Sequence, residues 1–278
     1  MPNLPDWLIA VIAGVVEGIT EFLPISSTGH LIVTSEFLQF DSVEGTFEIF
    51  IQIGAVIAVL FFYQADLRQQ AQNFFNSDVA KNRNARQLWF GVLLAFIPAV
   101  IIGLLFDDLI SSILFDPNVV AVALIVGGIM FIAIEQYLKT TDDKVKAHDI
   151  ADEPLTYKQA FIVGCWQVLA LIPGMSRSGM SIIGGMLSGL DRQRATQFSF
   201  YLAMPTLGAA TLYSLIRDFD AIQPDDFMLL AIGAVVSGIV AWFSIGWLLR
   251  YVATNNFIPF GYYRIFVGIL LLVLLNIN

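Results

Sequence analysis

A chain whose apolar runs are long enough to cross a membrane, about 17 residues or more, has few folds open to it. Here such runs fill roughly residues 46–65, 87–106, 117–138, 195–216, 227–249 and 260–277. In hydrocarbon every backbone polar group must find its partner inside the protein, so only helices and closed barrels cross. Runs of this length suit helices, since about 20 residues at 1.5 Å each span the apolar core. The fold class is therefore all-α, a polytopic membrane protein with six full transmembrane helices. Charged residues make up 13% of the 278, about half the share usual in soluble domains. The net charge of −9 leaves no basic stripe for phosphodiester backbones, which excludes a nucleic-acid partner. A single cysteine, Cys165, rules out an internal disulfide and any multi-cysteine metal site. Met1 to Leu23 lacks a basic leading region and makes a poor signal peptide.

Two more apolar segments, about 6–38 and 157–190, are interrupted near their middles, at Pro24 and at Pro173-Gly174. Proline removes a backbone donor and clashes with the preceding turn; glycine loosens the backbone. Each segment reads as a half-helix, a break and a second half-helix returning to its starting side. The two also align with each other: Gly14 with Gly164, Glu17 with Gln167, Ser26 with Ser176, Thr28 with Ser178, Gly29 with Gly179. Phe47-Glu48 and Phe198-Ser199 continue the match into the spans that follow. The expectation is a single membrane domain over 1–278. Its repeat halves are about 1–138 and 157–278, and the polar stretch 139–156, with His148 on its surface, joins them.

Charge sets the orientation. If both broken segments are re-entrant hairpins, connections 66–86, 139–158, 191–194 and 250–264 share one side. They carry Arg68, Lys81, Arg83, Arg86, Lys139, Lys144, Lys146, Lys158, Arg192, Arg194, Arg250 and Arg264, against Arg217 opposite. The positive-inside rule makes that side cytoplasmic and puts both termini outside. The hairpins then enter from opposite faces. That is an inverted-topology repeat, whose broken helices tend to meet near the midplane and form a site there.

The breaks also hold the ionisable groups of an otherwise apolar chain. Glu17 and Glu21, four apart, share a helix face. Carboxylates cost roughly 2.5–3.5 kcal/mol or more at the bilayer centre, and a close pair repels unless a proton or a cation intervenes. They either hold a divalent cation such as Mg²⁺ or Ca²⁺ or sit idle at an interface, and Glu21 can instead move a proton. Ser26, Ser27 and Thr28 follow Pro24, where a half-helix can begin, so Ser26 and Thr28 either cap it or bind. Ser27 has His30 three residues on, a spacing that makes a serine nucleophile with an adjacent base. Arg177 lies in Pro173-Gly174-Met175-Ser176-Arg177-Ser178-Gly179-Met180-Ser181. Its fork fits phosphate oxygens, and a helix N-terminus beside it attracts anions. Gly174, Ser176, Ser178 and Ser181 join it as candidate phosphate ligands; pairing with Glu17 or Glu21 is a compatible role. Glu48, Gln52 and Gln167 are candidates to support the site, or helix–helix contacts. Glu135-Gln136 reads as interfacial. Gly127-Gly128 and Gly184-Gly185 read as close helix approaches.

At these motifs the chain resembles the undecaprenyl-diphosphatase family, also called bacitracin-resistance proteins. The carriers are Glu17-Gly18-Ile19-Thr20-Glu21, Pro24-Ile25-Ser26-Ser27-Thr28-Gly29-His30, Phe47-Glu48 with Ile51-Gln52-Ile53-Gly54, and Pro173-Gly174-Met175-Ser176-Arg177-Ser178-Gly179. Ser181 stands where the family motif usually ends in threonine. The resemblance implies a divalent-metal-dependent membrane phosphatase that removes the terminal phosphate of an isoprenyl diphosphate lipid. It also implies bacitracin as a competitor for that substrate, and a site open to the outer side of the bacterial plasma membrane. The rival class is transport: inverted repeats with broken helices also build secondary transporters. A transporter needs no nucleophile and base beside the anion.

Overall fold

The computed structural model describes residues 4–38, 46–110, 116–142, 154–217 and 226–277. Among them every regular element is helical. The first broken segment is α1 (Asp6–Thr20), a turn, and α2 (Ser27–Leu38). Next come α3 (Thr46–Phe62), α4 (Gln64–Phe74), α5 (Val79–Leu105), the single turn α6 (Asp107–Leu109) and α7 (Pro117–Asp142). The second broken segment is α8 (Tyr157–Val168), a 3-10 turn at Leu169–Leu171, and α9 (Arg177–Leu187). Three long helices follow: α10 (Arg192–Arg217), α11 (Asp226–Val252) and α12 (Ile258–Ile277).

Five helices, α5, α7, α10, α11 and α12, are long and apolar enough to cross a membrane. The sixth expected span, α3, bends by 65° into α4. The connection expected at 66–86 holds most of α4 and the first turns of α5. Gln, Ala, Leu and Arg in α4 are good helix formers; none of its residues is fully buried, and Leu67, on one face with Ala71 and Phe74, packs partly buried against the core. The half-helices α1, α2, α8 and α9, at 1.5 Å per residue, are about 16–22 Å long, short of the ~30 Å core. In each broken segment the two legs pack on one another, as a re-entrant hairpin requires.

The repeat is visible in three dimensions. Each hairpin's first leg packs on a long helix of the other half, α1 on α11 and α8 on α5. The aligned glycines make both contacts possible: a Cβ on Gly14 would lie 2.6 Å from the Gly233 carbonyl oxygen, and one on Gly164 would lie 2.5 Å from that of Ala95. Helices α7 and α12, the last of each half, pair with each other. Residues 143–153, including His148, lie outside the described residues; α7 runs to Asp142, past the boundary expected at 138.

Helices α3 and α11 meet so closely at Gly54 that an added Cβ would overlap the Ala234 carbonyl. Gly54→Ala therefore overpacks the pair, at about 1–3 kcal/mol. Thermal melting of the detergent-purified protein should fall by roughly 2–10 °C; an unchanged midpoint would mean that the two backbones do not touch there.

Two charged residues sit differently from expectation. Glu135, expected at an interface, is buried. Its carboxylate accepts from Arg192 Nε at 2.9 Å and Nη2 at 2.5 Å, and from the Phe257 amide at 2.9 Å. This bidentate pair ties α7 to α10 and to the start of α12. Arg264, counted with the cytoplasmic connections, lies inside α12 and is fully buried. The charge asymmetry survives the loss, because the other described basic residues of that group stay outside the apolar spans or at their ends; Lys144 and Lys146 lie outside the described residues.

Candidate functional site

The two breaks share one backbone device. Ser26 has φ +74° and Ser176 φ +71°, the only non-glycine positive values among the described residues. Left-handed backbone is costly for a residue with a Cβ, and such strain clusters at functional sites. In each break it turns the chain so that a new helix starts at once, and the serine caps it. The Gly29 amide donates to Ser26 Oγ at 3.4 Å and the Gly179 amide to Ser176 Oγ at 3.1 Å. Ser27 and Arg177 are thus the first residues of α2 and α9. The repeat puts a hydroxyl at one helix N-terminus and a guanidinium at the equivalent position of the other.

These two meet at Glu21. Ser27 Oγ donates to Glu21 Oε2 at 2.5 Å, and Arg177 Nη2 donates to Glu21 Oε1 at 3.2 Å. Arg177 Nη1 donates to the Ser199 carbonyl at 3.0 Å and to Ser199 Oγ at 3.3 Å. Ser199 Oγ is joined to Ser181 Oγ at 2.7 Å. The guanidinium lies over the Phe22 ring, 5.7 Å from its centre. Its Nε has no hydrogen-bond partner among the described residues and remains an unused donor. Ser178 Oγ donates across the junction to the Leu23 carbonyl at 2.9 Å and leaves its lone pairs to Ser176 Oγ at 3.0 Å.

A pocket of about 130 Å³ lies at this junction, lined by the polar residues Glu21, Ser26, Ser27, Thr28, Gln52, Ser176 and Arg177, with Pro173, Gly174, Ala170 and Leu207 completing its wall. At about 30 Å³ per water, it holds a small polar head group and no long hydrocarbon chain. The structure thus brings together most of the residues singled out in the two breaks. Ser178 and Ser181 stand just behind the wall, holding neighbours in place. Glu17 is fully buried one helical turn from Glu21, close enough for Arg177 to feel both carboxylates. Gln167 is buried too, does not line the pocket, and its amide has no hydrogen-bond partner among the described residues. The backbone of Glu48 belongs to α3; its side chain lies outside the described residues.

The expected contact of Ser27 with His30 is not made. His30 Nδ1 donates to the Ser26 carbonyl at 2.7 Å, and Nε2 sits 2.8 Å from Tyr263 Oη. A carbonyl only accepts, so Nδ1 carries a proton; when the ring is neutral, Nε2 accepts from the Tyr263 hydroxyl. The cause is direction. Helical side chains lean toward the N-terminus. Ser27, at the first position, leans out over the break onto Glu21, while His30 leans back onto Ser26 and toward α12. Helical spacing holds only inside a helix, and a partner six residues back across an irregular turn has no periodic signal. Ser199 and Tyr263 were not anticipated as contacts either. The one hint was that Ser199 aligns with Glu48 in the repeat.

Could these residues hold a divalent cation? Among the described residues no three His, Cys, Asp or Glu side chains form a metal cage. The side-chain oxygens among the described residues there are one pocket-lining carboxylate, a second behind it, the Gln52 amide and hydroxyls. That is a poor resident site. It does fit a hard cation that arrives with a diphosphate, since Mg²⁺ is usually bound by one or two carboxylates together with substrate phosphates and water.

Comparison with known proteins agrees with this geometry. The family model described as Bacitracin resistance protein BacA matches residues 10–270. A Deinococcus radiodurans protein named undecaprenyl-diphosphatase is 50% identical over 274 residues, covering 97% of this chain and 96% of the relative. A Deinococcus deserti protein of the same name is 46% identical, with 97% and 96% covered. An Acinetobacter baylyi protein, undecaprenyl-diphosphatase 3, is 45% identical, with 95% and 96% covered. With helices fit to cross a membrane several times and a match that takes in both breaks, this chain belongs to the bacitracin resistance protein BacA family.

Proposed function

We propose that this protein is a membrane undecaprenyl-diphosphate phosphatase, which hydrolyses undecaprenyl diphosphate to undecaprenyl phosphate and inorganic phosphate and so recycles the lipid carrier of cell-wall synthesis. The observation that carries the reading is the chain Ser27–Glu21–Arg177, which joins two helix N-termini at one polar pocket. Relatives of nearly the same length bear the name of that activity. Transport is the weaker reading, because a carrier gains nothing from a hydroxyl hydrogen-bonded to a carboxylate at its anion site.

The mechanism follows from the contacts. The diphosphate enters with its terminal phosphate between the N-termini of α2 and α9, where amides and Arg177 face its charge. Glu21 takes the Ser27 proton, and Ser27 Oγ attacks the terminal phosphorus. The bridging P–O bond breaks, its electron pair leaving with undecaprenyl phosphate. Water then attacks the phosphorus of phospho-Ser27; the serine oxygen leaves and recovers its proton from Glu21, and dihydrogen phosphate departs. Phosphoryl transfer asks chiefly for positioning and charge stabilisation, which Arg177, Ser26, Thr28, Gly174, Ser176 and the helix N-termini supply. A divalent cation, held by Glu21 and Glu17 with the substrate's oxygens, would add positive charge on the phosphoryl group when bound. Attack by an activated water in place of Ser27 uses the same pocket.

The distribution of basic residues supports a plasma-membrane orientation with both termini outside and the head-group pocket open to the outer face. Bacitracin, by sequestering the lipid diphosphate, would compete with the enzyme for substrate. The test is phosphate release by purified protein in detergent, without any gradient, from C55 and shorter isoprenyl diphosphates with Mg²⁺ or Ca²⁺. One phosphate and one isoprenyl phosphate per turnover are expected. If no phosphate appears while lipid still binds, a carrier or receptor is the better description.

A further inference from the structure

Among the described residues the largest fully buried side chain is a charged one, Arg264, the seventh residue of α12. Among the described residues no acidic group pairs with it. Its five N–H donors instead reach five carbonyl oxygens. Nη2 donates to Gly174 at 2.8 Å and Ala123 at 3.5 Å; Nη1 donates to Met175 at 3.0 Å and Pro24 at 3.2 Å; Nε donates to Leu124 at 3.4 Å. The Phe131 ring lies against the guanidinium, 5.8 Å from centre to carbon. Gly127 leaves the space it occupies, since a Cβ there would overlap the fork.

Three acceptors belong to the breaks: Pro24 in the first, Gly174 and Met175 in the second. Breaking a helix strips carbonyls of their amide partners, and buried carbonyls left so are costly. No backbone amide among the described residues donates to these three. One guanidinium therefore serves both breaks together. A lysine could not, having three donors about a single point where arginine has five in a planar fork. Gly174 also lines the pocket, so the clamp is one bond away from the phosphate site.

We propose that Arg264 is a positioning residue for the phosphate pocket: by gripping carbonyls of both breaks it sets the separation of the α2 and α9 N-termini, so that Ser27 and Arg177 face the same diphosphate. The proposal rests on the phosphatase reading. It distinguishes Arg264 from a brace that merely keeps the protein folded, because misplacement of reacting groups by about 1 Å can cost about a hundredfold in rate.

The test uses two variants of the full-length protein in detergent, each normalised to its folded, monodisperse fraction. Arg264→Lys keeps the charge and loses the fork. Gly127→Ala keeps every charge and donor and displaces the fork. Expected are a kcat about a hundredfold lower for Arg264→Lys and about tenfold lower for Gly127→Ala. KM for the lipid diphosphate should change by less than about threefold, since the isoprenyl chain still binds, while the affinity for inorganic pyrophosphate, which only the pocket can hold, should fall about tenfold. Turnover per folded molecule within twofold of the parent, with unchanged pyrophosphate affinity, overturns the proposal and leaves Arg264 a brace. If the parent releases no phosphate, the functional reading has failed and the pyrophosphate arm decides alone: weakened binding in the variants sustains the positioning role, unchanged binding removes it. A parent that neither turns over nor binds pyrophosphate overturns both.

Discussion

Glu21→Gln lowers kcat by about a thousandfold, within the range of about 10²–10⁴ for general-base catalysis, and lowers it more than His30→Gln does. The reason is the direction of the Ser27 hydroxyl, which donates to Glu21 Oε2 at 2.5 Å. Glutamine has the same shape and can still accept that hydrogen bond, but it cannot take the proton. His30 has both nitrogens committed, one to the Ser26 carbonyl and one to Tyr263. Its loss loosens the start of α2 and leaves the proton path from Ser27 to Glu21 in place. Steady-state rates of the three proteins on the same isoprenyl diphosphate measure this, and quenching during turnover looks for phosphate on Ser27. Ser27→Ala should match Glu21→Gln in rate and trap no phosphate. A Glu21→Gln enzyme within tenfold of the parent, beside an inactive His30→Gln, would return the base to His30.

How much of this was legible in the sequence depends on the range of the signal. Apolar runs are local, and each of the six expected spans has its helix, with ends displaced by up to eight residues. The repeat was legible because duplication preserves chemistry at fixed spacing. Gly14 and Gly164 make equivalent close approaches, and Ser26 and Ser176 adopt the same left-handed turn. Arg264 was not legible. It follows Tyr262-Tyr263 at the edge of an apolar run, where an interfacial arginine is expected, and the five carbonyls that accept it lie 89 to 240 residues away in the chain. The Glu135–Arg192 pair is hidden for the same reason, its members belonging to helices that neighbour only in space. The pairing of Ser27 with Glu21 in place of His30 is hidden at shorter range, because it crosses a turn in which helical period has no meaning.

The second large effect concerns Arg177. Arg177→Lys lowers kcat/KM by about a thousandfold, the lower end of what arginine contributes to phosphoryl transfer, about 10³–10⁵. Charge alone does not explain the residue, since lysine carries it too. The guanidinium divides its donors: Nη2 meets Glu21, Nη1 meets Ser199, and Nε has no hydrogen-bond partner among the described residues. Two of its edges anchor the group, at Glu21 just beyond α1 and at Ser199 in α10, and the buried Nε is the donor left over for a phosphate oxygen. Lysine must abandon at least one anchor to reach the substrate. This makes Ser199 a partner of Arg177 whose value depends on the fork. Ser199→Ala alone leaves the carbonyl contact and should cost about 2–10-fold, the worth of one neutral-acceptor hydrogen bond. In the Arg177→Lys background the same change should cost nearly nothing, so that the double-mutant cycle shows coupling close to the whole single effect. Rates on an isoprenyl diphosphate for the four proteins close the cycle. Equal costs of Ser199→Ala in both backgrounds would mean that the serine acts on the fold of α10 and not through the guanidinium. An Arg177→Lys protein within tenfold of the parent would mean that positive charge, without the fork, is all that the pocket requires.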